Sequence, residues 1–157
     1  MQTPSAPDLL QPSLSARPVR QAPYSLRAGF LVAFLGGPAA VFGMATLNAH
    51  RVGRLPRDLA WLLPALLAWL LFEVWWAATP SGRQFDAGVQ VALGASGPRY
   101  LERGLALLGF ALTCLLHRRE QRVADMLGLD RPNGWGAGVA LVIAGYGVAW
   151  VLKGWLV

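Results

Sequence analysis

Residues 28–48 read AGFLVAFLGGPAAVFGMATLN, and this stretch decides the class of the protein. It contains no charged residue. As a helix it would extend about 30 Å, which matches the hydrocarbon core of a bilayer. Similar apolar runs follow at 59–79, 100–116 and 135–156. The third of these is the shortest and includes Glu102 and Arg103 near its start. The expected fold is therefore all-α: an integral membrane bundle of four transmembrane helices over residues 28–157.

Composition points the same way. Of the 157 residues, 55% are hydrophobic and 14% are charged, whereas soluble domains carry about 25% charged residues. The net charge of +6 would suit either nucleic acid or an acidic membrane surface. The apolar runs and the lack of a basic, aromatic-bearing module favour the membrane and argue against nucleic acid. Cys114 is the only cysteine, so no intramolecular disulfide forms. Residues 1–27 hold Pro4, Pro7, Pro12, Pro18 and Pro23, a spacing that prevents a long helix. They read as a disordered tail. The length of that tail and the Gly-Gly-Pro centre of the first run argue against a cleaved signal peptide.

The linkers are less distinctive. In 80–99, Phe85, Val89, Ala92 and Leu93 fall on one helical face. The segment reads as an interfacial helix, a re-entrant segment or a plain loop. With four crossings, Arg and Lys divide evenly, seven to each side. The positive-inside rule then assigns no orientation.

Within the first run, Gly29, Gly36 and Gly43 recur every seven residues, with Ala33, Ala40 and Leu47 four residues after each. On a continuous helix these form one small-residue face, suited to close packing in lipid. A looser version runs through Gly134, Gly138, Gly145 and Ala149. Pro38 cannot donate to the carbonyl of Phe34 and is expected to kink the helix. Gly36-Gly37-Pro38 reads either as a static kink or as a hinge or opened turn facing a ligand.

Glu73 is the acid inside a strongly apolar run. A carboxylate there is costly and is expected either to serve a proton or cation site or to sit near the interface with a partner. His50 and His117 both adjoin Arg and read as solvated interfacial residues. Cys114 lies one turn before His117, but these three groups match no metal motif. No metal or other cofactor is expected. Most tryptophans fall near run ends and read as interfacial anchors; Trp69 and Tyr146 are the exceptions. No phosphate loop, nucleophile elbow or catalytic carboxylate pair is present, so an enzyme is not expected.

Tyr24-Ser25, then Phe34-Leu35-Gly36-Gly37-Pro38-Ala39-Ala40, then Asn48-Ala49-His50-Arg51-Val52-Gly53-Arg54 form a recognisable series. Over residues 24–54 the chain resembles a group of small, uncharacterised bacterial polytopic membrane proteins with a Phe-Leu-Gly-Gly-Pro first helix. The resemblance implies a multi-pass protein of the bacterial inner membrane. It implies no activity and no functional residues.

On these grounds the leading expectation is a structural, assembly or accessory component acting through helix packing. Its partners would be the lipid bilayer and a second copy or another membrane protein. The alternative is an oligomeric transporter or channel-like protein using Glu73 and the Pro38 kink.

Overall fold

The computed structural model describes residues 21–156, without the side chains of Lys153, Trp155 and Leu156. The expected disorder of the tail falls, for residues 1–20, outside the described residues. The described residues form six helices: α1 (Leu26–Val52), α2 (Leu55–Ala78), α3 (Pro80–Leu93), α4 (Gly97–Leu116), α5 (Arg118–Met126) and α6 (Trp135–Leu156). Among the described residues there is no strand.

The first apolar run is not one rod. At Gly37 the backbone takes φ 70° and ψ −168°, a combination essentially confined to glycine. The chain reverses there, and α1 becomes a hairpin of two helical arms, 26–36 and 38–52. The contacts pair residues at matching distances from the turn. Val32, Ala40 and Met44 share one buried cluster with Tyr24 and Ala28, and Ala33 meets Val41 in another. At the open end, the Tyr24 amide donates to Asn48 Oδ1 at 2.9 Å. Arg51 Nε donates to the Ala22 carbonyl at 2.9 Å, and its guanidinium lies over the Tyr24 ring at 4.9 Å. A straight helix would hold Tyr24 and Asn48 about 36 Å apart.

Local chemistry explains both arms. The Ser25 side chain caps the first, accepting from the Ala28 amide. Pro38 opens the second, where its missing N–H costs no helical hydrogen bond. The expectation of a kink at Pro38 is thus replaced by a reversal one residue earlier. Ala22 and Pro23 are buried against the hairpin, so ordered packing begins before residue 28.

The other helices wrap this hairpin. α4 runs antiparallel to the first arm: Arg103 lies over Phe34, Ala106 packs with Ala33, and Phe110 meets Phe30. α6 runs alongside the first arm from Gly134 beside Ala28, through Gly138 beside Val32, to Gly145 beside Gly36. At that last crossing a Cβ on Gly145 would stand 2.5 Å from the Gly36 carbonyl oxygen, so only glycine allows the approach. α2 starts at the hairpin's open end and passes its tip near Trp69, which meets Phe42 with ring centroids 6.3 Å apart.

Among the described residues three helices, α1, α2 and α6, are long and apolar enough by length and composition to cross a membrane, not the four expected. α4 falls short because Arg99, Glu102 and Arg103 lie within its first two turns, leaving about 20 Å of apolar helix against about 30 Å of hydrocarbon. The 80–99 linker is mainly helix, capped by the Thr79 side chain at the Gly82 amide. α5 ends before Gly128, which has φ 59°.

The hairpin has a direct test. Cysteines replacing Tyr24 and Asn48 in a Cys114→Ser background should form an intramolecular disulfide efficiently on mild oxidation. A continuous helix would yield none.

Candidate functional site

Beyond the hairpin tip, the ends of α2, α4 and α6 and the short α3 enclose a cavity of about 860 Å³. Its floor is the turn itself, residues 34–39. Its walls carry charges of both signs: Glu73 on α2, Arg83 and Asp86 on α3, and Arg99, Glu102 and Arg103 on α4. Tyr146 and Ala149 of α6 complete it. A volume of this order falls within the usual range for ligand sites.

Glu73 faces this space half-buried, and its carboxylate accepts from the Trp69 indole N–H at 3.0 Å. The two residues are one helical turn apart on the same helix. Trp76, buried on the same helix, donates from its indole to Asp86 at 3.0 Å. The other Asp86 oxygen accepts from the Gln90 amide at 2.6 Å. Phe72, Trp75 and Trp76 pack around Phe85. This aromatic cluster holds α3 against α2 and sets the position of the acid. Arg103 is positioned by its contact with the Phe34 ring, 5.1 Å to the centroid.

The residues read from sequence separate into two surfaces. A Cβ on Gly29 would collide with Phe110 of α4, and Ala33 is fully buried beside Ala106 of the same helix. Gly36 and Gly43 instead meet Val142 and Leu141 of α6, and Ala40 is buried in the cluster that Leu141 packs against. The stripe is thus shared between two neighbours, Gly29 and Ala33 going to α4 and Gly36, Ala40 and Gly43 to α6. Pro38 lies at the cavity floor.

At the opposite, open end of the hairpin a second polar group is buried. His117 Nε2 lies 2.8 Å from Asp58 Oδ2, with the residues 4% and 3% exposed. Arg54 bonds Glu120 and lies 3.8 Å from Asp58. These contacts tie the start of α2 to the α4–α5 junction. The expectation of a solvated His117 is corrected: it is buried and partnered, while His50 is exposed. Sequence reasoning missed Asp58, whose partner lies 59 positions away. It also missed Asp86, Glu102 and Arg103 as site residues, because they sit in or beside a linker. Among the described residues no group of three or more His, Cys, Asp or Glu is arranged to hold a metal ion.

The chain matches no protein-family model, no curated protein and no solved structure at a significant level.

The buried pair gives a stability prediction. Removing one partner leaves the other buried without its hydrogen bond, at a cost of about 2 kcal/mol. Asp58→Ala should lower the unfolding midpoint in detergent measurably, and Asp58→Asn, which keeps an acceptor, should lower it less. Equal midpoints for wild type and Asp58→Ala would show that the pair contributes nothing.

Proposed function

We propose that this chain is a multi-pass membrane protein with a channel- or transporter-like architecture, whose working part is the charged vestibule floored by the hairpin tip. One observation carries the reading: the helix of α1 is broken at Gly37, and the break faces a cavity lined by six charged side chains. A helix break leaves the last carbonyls of one arm and the first amides of the next without intrahelical partners. In hydrocarbon such groups are costly, and irregular backbone at membrane depth is tolerated where it is buried in protein or lines a watery cavity. Broken helices facing a midplane site are a recurrent means of binding a charged solute.

The accessory-component reading has less support. The small-residue faces that would dock a partner are already filled within the chain, by Phe110, Leu141 and Val142.

In this proposal α2, α4 and α6 cross the membrane, while α1 enters and returns on one face as a re-entrant hairpin. Its arms of roughly 17 and 22 Å reach well into the bilayer without spanning it. α4 is long enough for its part because Arg99, Glu102 and Arg103 face the vestibule and need not cross hydrocarbon. The chain ends then lie on opposite faces. Of the described arginines, Arg27, Arg51, Arg54, Arg57, Arg118, Arg119, Arg122 and Arg131 belong to the open-end face, against Arg83, Arg99 and Arg103 at the vestibule. The even tally of a four-crossing chain becomes a strong bias, which assigns the open end to the cytoplasm and the vestibule to the outside. On the resemblance at residues 24–54, the membrane is the bacterial inner membrane.

Two experiments test this. With Cys114→Ser as background, Ala39→Cys at the vestibule floor should react with a membrane-impermeant charged thiol reagent. Leu67→Cys, on the exposed apolar side of α2, should not. An unreactive Ala39→Cys variant would remove the water-filled vestibule. Separately, reporter fusions at the two ends should report opposite sides of the membrane, with the N-terminus cytoplasmic. Ends on the same side would reject the three-crossing arrangement.

A further inference from the structure

A second cavity lies below the first. It is an apolar groove of about 360 Å³ between α2 and α4, floored by the second arm of α1. Val41 and Phe42 form its base, Ala65 and Phe72 one wall, Leu108 and Gly109 the other. Its outer rim carries the exposed Leu105, Leu108 and Leu112, so it opens sideways, toward lipid in a bilayer. Pro38 and Trp69 line both cavities. Trp69 divides them by chemistry: its ring packs against Phe42 on the groove side, while its N–H is given to Glu73 on the vestibule side.

We infer that the ligand of this site is a zwitterionic phospholipid bearing a primary ammonium, with its headgroup in the vestibule and an acyl chain in the groove. The inference rests on the vestibule being a solute-accessible site, and it names the class of molecule held there. Two observations carry it. The first is continuity: a charged compartment and an apolar compartment share two wall residues, which matches a molecule with a charged end and an apolar end. Arg83, Arg99 and Arg103 supply donors for a phosphate, and Glu73, Asp86 and Glu102 supply acceptors for an ammonium.

The second is dimension. From Trp61 to Phe72 the groove follows α2 for roughly 16 Å. An apolar space of that length and of about 360 Å³ is long and narrow, the shape of an extended alkyl chain.

Native mass spectrometry of the intact chain, released from detergent micelles, tests the proposal. The probes are dioleoyl phosphatidylethanolamine, its dihexanoyl analogue and glycerophosphoethanolamine, the headgroup without chains. Wild type should retain one dioleoyl lipid per chain, with affinity at least tenfold above the dihexanoyl form and higher again than the headgroup alone. Ala65→Trp, which fills the groove, should weaken dioleoyl binding at least tenfold while leaving headgroup binding unchanged. Arg99→Gln, at an exposed vestibule position, should weaken both lipids and headgroup. Helical content by circular dichroism identifies any variant that fails to fold, and the chain-length series on wild type stands without the variants. Affinity independent of chain length, or unchanged dioleoyl binding by a folded Ala65→Trp, would overturn the acyl-chain assignment. So would a dimer that Ala65→Trp dissolves, since a second copy would then occupy the groove. Equal retention of dioleoyl phosphatidylglycerol would overturn the ammonium assignment. Each of these results leaves the vestibule intact; its own failure is read separately, as absence of labelling at Ala39→Cys.

Discussion

The reversal at Gly36-Gly37-Pro38 is the constraint on which the rest of the protein depends. It needs a backbone conformation that side-chain-bearing residues rarely adopt, supplied by Gly37. It also needs a neighbour with no Cβ at the crossing with α6, supplied by Gly145. Once the turn is made, the two arms bury their small residues against each other and against α4 and α6. Packing of this kind drives association where water exclusion does not. The turn also creates the polarity problem that the fold then answers. Backbone groups freed at the tip require polar surroundings, and the charged ends of α3 and α4 gather there.

The two ends of the hairpin are therefore built differently. At the open end, Asp58, His117, Arg54 and Glu120 are drawn together with little exposure and partner one another. Their arrangement joins three helices, and the pocket beside His117 holds only about 20 Å³. At the tip, the ionisable groups line a large space instead, and their anchors are aromatic: Trp69 for Glu73, Trp76 for Asp86, Phe34 for Arg103. Buried pairing at one end and cavity lining at the other separate a structural clasp from a candidate site, although both contain acids and cations in similar numbers.

Much of this was legible in the sequence, and the rest was lost for identifiable reasons. Apolar runs without charge announced the helices, and Glu73 stood out because carboxylates are rare in such runs. The hairpin was hidden because hydropathy does not distinguish a rod from two arms of the same composition. A seven-residue glycine repeat on a continuous helix makes one face, and nothing in the repeat reveals that Gly37 divides it. The residues that line the vestibule with Glu73 were hidden for a different reason. Asp86, Glu102 and Arg103 lie where the chain reads as a linker or as the ragged start of a helix. The folding of α3 onto Trp75 and Trp76 brings Asp86 to the hairpin tip, and the packing of α4 on the first arm brings Glu102 and Arg103. His117 was misread because its neighbours in sequence are arginines, while its neighbour in space is Asp58.

A signal for the reversal was nonetheless present in the series from Tyr24 to Arg54. Each piece of that series has a task in the hairpin. Ser25 caps the first arm, Gly36-Gly37-Pro38 makes the turn, and Gly53 with φ 76° ends the second arm. Asn48 Oδ1 accepts from the Tyr24 amide, and Arg51 Nε donates to the Ala22 carbonyl, closing the open end. Tyr24 and Asn48 lie equally far from residue 36, which is the symmetry a helical hairpin requires and a straight span does not. A polar residue at each end of an apolar run, equidistant from a Gly-Gly-Pro, is thus a sequence sign of a helical hairpin, because the two ends of such a run meet only when the chain returns along itself.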